Sequence, residues 1–376
     1  MNFPNPYEGK HYKKLIVIPL ILIVMALFFI PNIPKGVDLK GGSLFTIVTD
    51  APAGTLASKR LELQEVLAKY SSDVSVRTFE NPSGRGFEIE VGASGLLDEA
   101  EQKIAVLRTD NSEYSRQDIN LQNMLGNELD PAKVEAQKKV VEELKTKVLV
   151  DGNAIMQLLK SQTVLTDPET AAQTAESEYL DIVSSNRERI IGDIKATVEV
   201  KSYSAKEVGS SLSRFFLSET VKIILISLLS AALFVVVIFR GRVASLAVLF
   251  GAFADLIITA GVMGMLGIPL SLSTVAALLM LIGFSIDTDM LLTIRGLKRT
   301  EGTAKERVYD AMKTAIVMNS SAIVAFTVLV IVAMSLQIET YYQIGIVALI
   351  GGLIDFIATW CGNAVMVLWY AEVRQK

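Results

Sequence analysis

Six long apolar stretches constrain this chain more than any other feature. They are Leu15–Ile30, Ile223–Phe239, Val243–Leu266, Leu270–Ile294, Thr314–Leu336 and Ile344–Tyr370. An α-helix rises about 1.5 Å per residue, so about 20 apolar residues cross a hydrocarbon core of about 30 Å. Five stretches meet or approach that length, and the shorter first one is closed by Pro31 at an interface. Lys13 and Lys14 precede the first stretch as a signal peptide's basic residues would, but no A-x-A-like cleavage site follows Ile30, so an anchor that is retained is expected. Composition agrees: 51% of residues are hydrophobic and 20% charged, too little charge for an ordinary soluble enzyme of 376 residues.

Lys and Arg in the short loops set the expected orientation. Lys10, Lys13 and Lys14 precede the first span, and Arg240 and Arg242 fill the turn between the second and third. Arg295, Lys298, Arg299, Lys305, Arg307 and Lys313 lie between the fourth and fifth; Arg374 and Lys376 follow the sixth. The opposite loops, around Gly267–Pro269 and Gln337–Gln343, contain no Lys or Arg. A multi-pass plasma-membrane protein with both termini cytoplasmic follows. Residues 1–31 supply the first span, 32–220 an outer domain and 221–376 a five-helix membrane domain. The outer domain holds 30 acids and 22 bases and the remainder 10 and 14, so the overall charge of −4 hides an acidic outside and a basic inner rim. No basic run interleaved with aromatics points to nucleic acid.

The outer domain reads as α+β. Val37–Asp50 is expected as a strand with a Gly-Gly break, and Ala57–Tyr70 as an amphipathic helix. Asp73–Phe79 and Gly86–Val91 read as strands joined by a turn at Asn81-Pro82-Ser83-Gly84-Arg85, Leu96–Leu107 as a short helix and Ala196–Tyr203 as a final strand. That β-α-β-β-α-β order is ferredoxin-like. A helical insertion is expected over about 120–194, with helices opened by Asp130-Pro131 and Asp167-Pro168-Glu169. Ser204–Thr220, containing Arg214, Phe215 and Phe216, reads as an interfacial helix or a linker.

Charges inside the spans carry the chemistry. Asp255 lies in the third, Asp287 and Asp289 in the fourth and Asp355 in the sixth. An ionised carboxylate facing lipid costs several kcal/mol, so these residues should face the bundle interior or a wet cavity. Asp287 and Asp289 lie roughly 200° apart around a helix, so one can face a pathway and the other a helix contact. Asn319, Ser320 and Ser321 in the fifth span, and Thr359 and Asn363 in the sixth, add neutral hydrogen-bonding groups. No Lys or Arg occurs between Lys313 and Arg374, and Arg295 reaches only the membrane edge. The carboxyls must therefore be protonated part of the time, satisfied by polar neighbours, or paired with a cation from another chain. The bland alternative is neutral acids acting as interhelical glue.

One cysteine (Cys361) and one histidine (His11) exclude an intramolecular disulfide, Cys-based zinc and imidazole relays. Nucleotide and dinucleotide loops and HExxH are absent, so no cofactor, metal or covalent catalysis is expected, and a membrane ion gradient is the available energy source. The chain reads as a non-enzyme.

Two stretches carry a family resemblance. Gly36-Val37-Asp38-Leu39-Lys40-Gly41-Gly42 resembles the GxDxxGG signature of the SecD and SecF protein-export subunits, through Asp38, Gly41 and Gly42. Leu281–Arg299, LIGFSIDTDMLLTIRGLKR, which includes Gly283, resembles the fourth-span motif of the SecF branch in its archaeal version. One span, a large outer domain and five clustered spans is half the layout of the resistance-nodulation-division superfamily. Asp287 takes the place of SecD's fourth-span Asp and of the Asn usual in bacterial SecF; Thr288 stands at bacterial SecF's Asp, Asp289 at its Thr, and Arg295 at the family's Arg. Which Asp performs the family's role stays open. Leu39-Lys40 is closer to SecD, and the outer domain is longer than SecF would suggest. The resemblance implies a subunit that pairs with a SecD-like chain beside the Sec channel and uses proton-motive force to assist a translocating polypeptide. The alternatives are SecD itself, a half-size exporter of lipid or small hydrophobic molecules, and a scaffold that only stabilises a channel complex.

Overall fold

The computed structural model describes residues 4–9, 11–81, 84–126, 131–299, 301–336 and 338–374. The chain divides into two compact units, one of residues 40–80 and 84–215, the other chiefly of residues 1–39 and 216–376.

The first unit is built on a sheet of four strands among the described residues: β1 (Gly42–Thr49), β2 (Val74–Asn81), β3 (Gly84–Gly92) and β4 (Ser202–Val208), in the order β2-β3-β1-β4. β1 runs antiparallel to β3, pairing Phe45 with Ile89, and antiparallel to β4, pairing Phe45 with Ala205. Alternation sends Phe45, Ile47, Phe87, Ile89 and Val91 to one face. There they meet Leu56, Leu63 and Leu67 of a helix at Leu56–Leu67, and Ile190, Ile194 and Val198 at the end of a helix at Ala171–Thr197. The glycine pair at the start of β1 has a steric cause. Gly41 and Gly42 have φ of +79° and +120°, and a Cβ on Gly42 would lie 2.3 Å from the Val91 carbonyl oxygen.

Numbered in chain order after α1 (Val17–Phe29) and α2 (Val37–Lys40), which precede this unit, its helices are α3 (Leu56–Leu67), α4 (Gly95–Gly126), α5 (Pro131–Leu158) and α6 (Ala171–Thr197). Several expectations change here. Val37–Lys40 is a helical turn and not the start of a strand, because the left-handed glycines that follow break the extended path. Leu96–Leu107 is the first part of a 32-residue helix whose Ile104, Leu107 and Tyr114 pack on α5 and α6. The second helix on the sheet is the end of α6. The helical excursion thus begins at Gly95 and not near Asn120. The last strand starts six residues later than Ala196–Tyr203, because α6 continues to Thr197. α6 opens after Asp167, which accepts hydrogen bonds from the Glu169 N–H (3.0 Å) and Thr170 Oγ1 (3.0 Å), so Asp167 shapes the turn and does not cap the helix. The cap expected from Asp130 and the turn residues Pro82 and Ser83 lie outside the described residues, as do Lys10, Gln337 and Lys376.

Ser204–Thr220 is neither a linker nor a separate interfacial helix: β4 runs to Val208 and α7 (Ser210–Phe239) starts two residues later. Its first turn is held by Glu101 of α4, whose carboxylate accepts from the Ser210 N–H (2.7 Å), the Ser211 N–H (3.2 Å) and the Ser211 hydroxyl. An anion at free N–H groups satisfies donors the helix cannot and complements its dipole. Arg214 adds an ion pair to Asp98, 3.1 Å away.

Among the described residues, six helical segments are long and apolar enough to cross a membrane: Tyr12–Asn32, Ser210–Phe239, Arg242–Leu266, Leu272–Lys298, Ala304–Leu336 and Glu339–Val373. After α7 come α8 (Arg242–Leu266), α9 (Leu272–Lys298) and α10 (Ala304–Leu336). The last span comprises α11 (Glu339–Ile357), a π-helical stretch (Ala358–Asn363) and α12 (Ala364–Arg374). Small residues let backbones approach: a Cβ on Gly261 would sit 2.3 Å from Ala26 Cα, and one on Gly264 2.1 Å from the Phe29 carbonyl oxygen, so α1 is seated directly on α8. The N-terminal segment is anchored by Tyr7, which is fully buried and donates to the Trp360 carbonyl oxygen at 2.8 Å. Burial pushes the Tyr7 phenol well above its usual range.

Candidate functional site

Three helices converge on a cluster of carboxyls. Asp255 comes from α8, Asp289 from α9 and Asp355 from α11, and each has 0% exposed surface. The three lie within electrostatic range of one another. Two hydroxyls stitch them together. Ser285 of α9 donates to Asp255 Oδ2 and is also within reach of Asp355. Thr359, in the π-helical stretch, approaches Asp289 Oδ1 at 2.9 Å and Asp355 Oδ1 at 3.3 Å. Asn319 of α10 donates through Nδ2 to Asp355 Oδ2 at 2.7 Å.

The chemistry follows from proton counting. A hydroxyl has one proton, so Thr359 can donate to only one carboxylate. While it donates to Asp289, its oxygen is free to accept from Asp355 whenever that carboxyl is protonated. Asp255, Ser285, Asp355, Thr359 and Asp289 thus form a string along which a proton can pass by short hops. Among the described residues, no Lys or Arg contributes to the surroundings of Asp255, Asp289 or Asp355. A buried anion without a counter-charge is costly, which sets this cluster apart from a structural ion pair.

Each expected site residue has a definite place. Asp255, Asp289, Asp355 and Asn319 are brought together, with Thr359 between them. Asp287 is not: it is exposed on α9, on a stripe with Ala276, Met280 and Gly283. A Cβ on Gly283 would meet nothing within 4 Å among the described residues. Arg295 donates to the Asp310 carbonyl oxygen (3.1 Å) and Thr314 Oγ1 (2.7 Å), away from the carboxyls. Asp38 is buried in the turn before Gly41 and Gly42. Ser320 and Ser321 are exposed, and Ser321 bonds the Met318 carbonyl oxygen at 2.7 Å.

Sequence reasoning missed Ser285, Gly251 and Thr293. A Cβ on Gly251 would lie 1.9 Å from Asp289 Oδ2, so this glycine of α8 makes the room in which the Asp289 carboxyl sits. A signal was present: Gly251 and Ser285 lie four residues before Asp255 and Asp289, and Thr293 four after Asp289, which is one turn on the same helix face.

Comparison with known proteins places the chain in a family. The family model described as protein export membrane protein SecD/SecF, C-terminal, matches residues 190–373. The protein-export membrane protein SecF of Haloquadratum walsbyi is 32% identical over 227 residues, covering 59% of this chain and 78% of that protein. The chain belongs to the SecD/SecF protein-export family. SecF of Methanothermobacter thermautotrophicus is 42% identical over 183 residues, covering 48% of this chain and 63% of that protein. SecF of Methanocaldococcus jannaschii is 38% identical over 178 residues, covering 46% and 63%. The chain therefore spans less than two thirds of the length of these last two SecF proteins. The crystal structure of SecDF, a translocon-associated membrane protein from Thermus thermophilus, aligns over 98% of this chain and 39% of that one, with a TM-score of 0.57 and 15% identity. SecD/SecF membership and the six apolar helices make this a multi-pass membrane protein.

Proposed function

We propose that this chain is a SecF-type subunit that pairs with a SecD-like chain and uses an ion gradient to assist polypeptide export through the Sec channel. The observation that carries this reading is the cluster of three fully buried carboxyls linked by Thr359 and Ser285, with no cation in its surroundings among the described residues. Intramembrane acids of this kind mark ion pathways by default. Asp255, Asp289 and Asp355 carry the ion, Asn319 and Thr359 position it, and the reading requires no covalent catalysis. Asp287 is assigned to a contact with the partner, supported by the narrow exposed α9 stripe of Ala276, Met280 and Gly283 on which it lies. The loop charges support cytoplasmic termini and an extracytoplasmic domain of about residues 32–220. The β2-β3-β1-β4 order, with α3 and the end of α6 on one face, supports a ferredoxin-like core carrying a helical excursion. The test is secretion in membrane vesicles: Asp289→Asn and Asp355→Asn should leave assembly with the SecD-like chain intact and remove the gradient-dependent part of export. Full gradient dependence in both variants would sink the reading.

One observation favours a second reading, export of a small hydrophobic molecule. A cavity of about 460 Å³ in the first unit has Leu97, Ile104, Leu180 and Val183 in its walls, beside charged residues such as Glu101, Arg108 and Glu207. Saturable binding of a hydrophobic compound to this cavity, lost in Leu180→Arg, would favour that alternative.

A further inference from the structure

Four polar atoms at and beside Asp289 lack a well-aligned protein hydrogen bond among the described residues, although the Asn363 amide lies within reach of the Asp289 carboxyl: Asp289 Oδ2, Thr293 Oγ1, and both Oδ1 and Nδ2 of Asn363. All three residues have 0% exposed surface, so bulk solvent does not satisfy them. Their levels in the bundle follow from two fixed points. Asp289 of α9 meets Thr359 at 2.9 Å, and a Cβ on Gly296 would lie 2.8 Å from Val367 Cγ1. Spans four and six run in the same direction, so contacts advance along both together. Thr293 and Asn363, each four residues beyond the first fixed point and on the same faces, lie at the level between the two.

We propose that Thr293, Asn363 and Asp289 hold an ordered water molecule between α9 and the last span, on the side of the carboxyl cluster toward the loop that carries Arg299 and Lys305. Buried polar groups are paired with protein or with ordered water, and an internal water needs two to four polar partners. The set fits a water better than a metal cation. A cation would be held through Asn363 Oδ1 and would leave the donor Nδ2 unpaired, while a water can accept from Nδ2 and donate to Asp289 Oδ2. Thr293 supplies a hydroxyl that serves in either sense. The water would extend the Asp255–Ser285–Asp355–Thr359–Asp289 string by one hop toward the basic end of α9. Its use as part of an ion path rests on the proposed function; its existence does not.

The experiment is cryo-electron microscopy of the full chain in lipid nanodiscs, at a resolution that shows ordered solvent, in potassium and in sodium buffers. A solvent peak at about 2.7–3.2 Å from Thr293 Oγ1 and Asn363 is expected in both salts. The peak should be lost in Thr293→Val/Asn363→Leu. Well-resolved side chains with no peak between them would overturn the proposal. So would a peak present only in sodium and surrounded by oxygens at shorter distances, which would make the site a cation site. The wild-type maps decide the matter even if the double variant does not fold. A peak in a protein whose export ignores the ion gradient would leave the water site standing and refute the proposed function alone.

Discussion

Gly251→Ala is the sharpest small perturbation of the carboxyl cluster. The added methyl would start 1.9 Å from Asp289 Oδ2, where an unstrained contact needs about 3.4 Å, so the carboxyl must swing by more than 1 Å. That movement breaks its 2.9 Å bond with Thr359. Overpacking a dense interior costs about 1–3 kcal/mol. Losing the hydrogen bond of a buried polar group adds about 1–3 kcal/mol. A total of ~2–6 kcal/mol should appear as a lowered midpoint in thermal unfolding of the purified chain, together with reduced gradient-dependent export. The cause is specific, because Asp289→Ala removes the group that the methyl strikes. The double variant should therefore recover at least ~1 kcal/mol relative to the sum of the single effects, a coupling that only neighbours show. Additive effects, or a Gly251→Ala variant indistinguishable from the starting protein, would refute the packing argument and with it the assignment of Asp289 to the interior of the site.

Other predictions test the remaining parts of the account. Gly261→Val should prevent α1 from docking on α8, since its clash is with Ala26 backbone, whereas Gly283→Val should leave the isolated chain's unfolding unchanged and weaken co-purification of the SecD-like chain; equal effects of the two on unfolding would be the wrong outcome. Glu90 is buried with Lys40 and Arg77 as partners, so Glu90→Ala should destabilise the first unit by about 2 kcal/mol in chemical denaturation, through the lost charge-assisted contacts, while Lys40 keeps Asp73 at 2.9 Å. Hydrogen bonds from Lys69 and Tyr70 hold the Asp193 carboxyl below its usual pKa. A depressed carboxyl stabilises the fold above its unfolded pKa of about 4, and that contribution is lost as pH falls through the lower folded value. Asp193→Asn should therefore flatten the acid limb of a stability-versus-pH curve; an unchanged acid limb would contradict the assignment.

The spans were legible because a bilayer imposes one length and one composition on any helix that crosses it, and the six long apolar helices fall where the apolar runs do. The acids were legible for the same reason, standing out against an apolar background. Which of them meet was not, because pairing across α8, α9 and α11 is set by helix rotation and by close approaches such as that at Gly251. Asp287 and Asp289 were correctly expected on different faces, but the interior one is Asp289, and only packing decides that. In the first unit, strand alternation located β2 and β3 closely. It misplaced the last strand because α6 runs on past Ala196 through a sequence, ATVEV, that alternates as a strand does. It also gave the sheet the wrong second helix: Leu96–Leu107 has a suitable stripe, but that stripe is used against α5 and α6, and the isoleucines near position 190 reach the sheet.

Export measured in sealed vesicles, with and without an ionophore that collapses the ion gradient, tests the central claim most directly when applied to Asp255→Asn, Asp289→Asn and Asp355→Asn combined in one chain. The account predicts an assembled protein whose residual export is the same with and without the ionophore. A triple variant whose export still falls when the gradient is collapsed would contradict it.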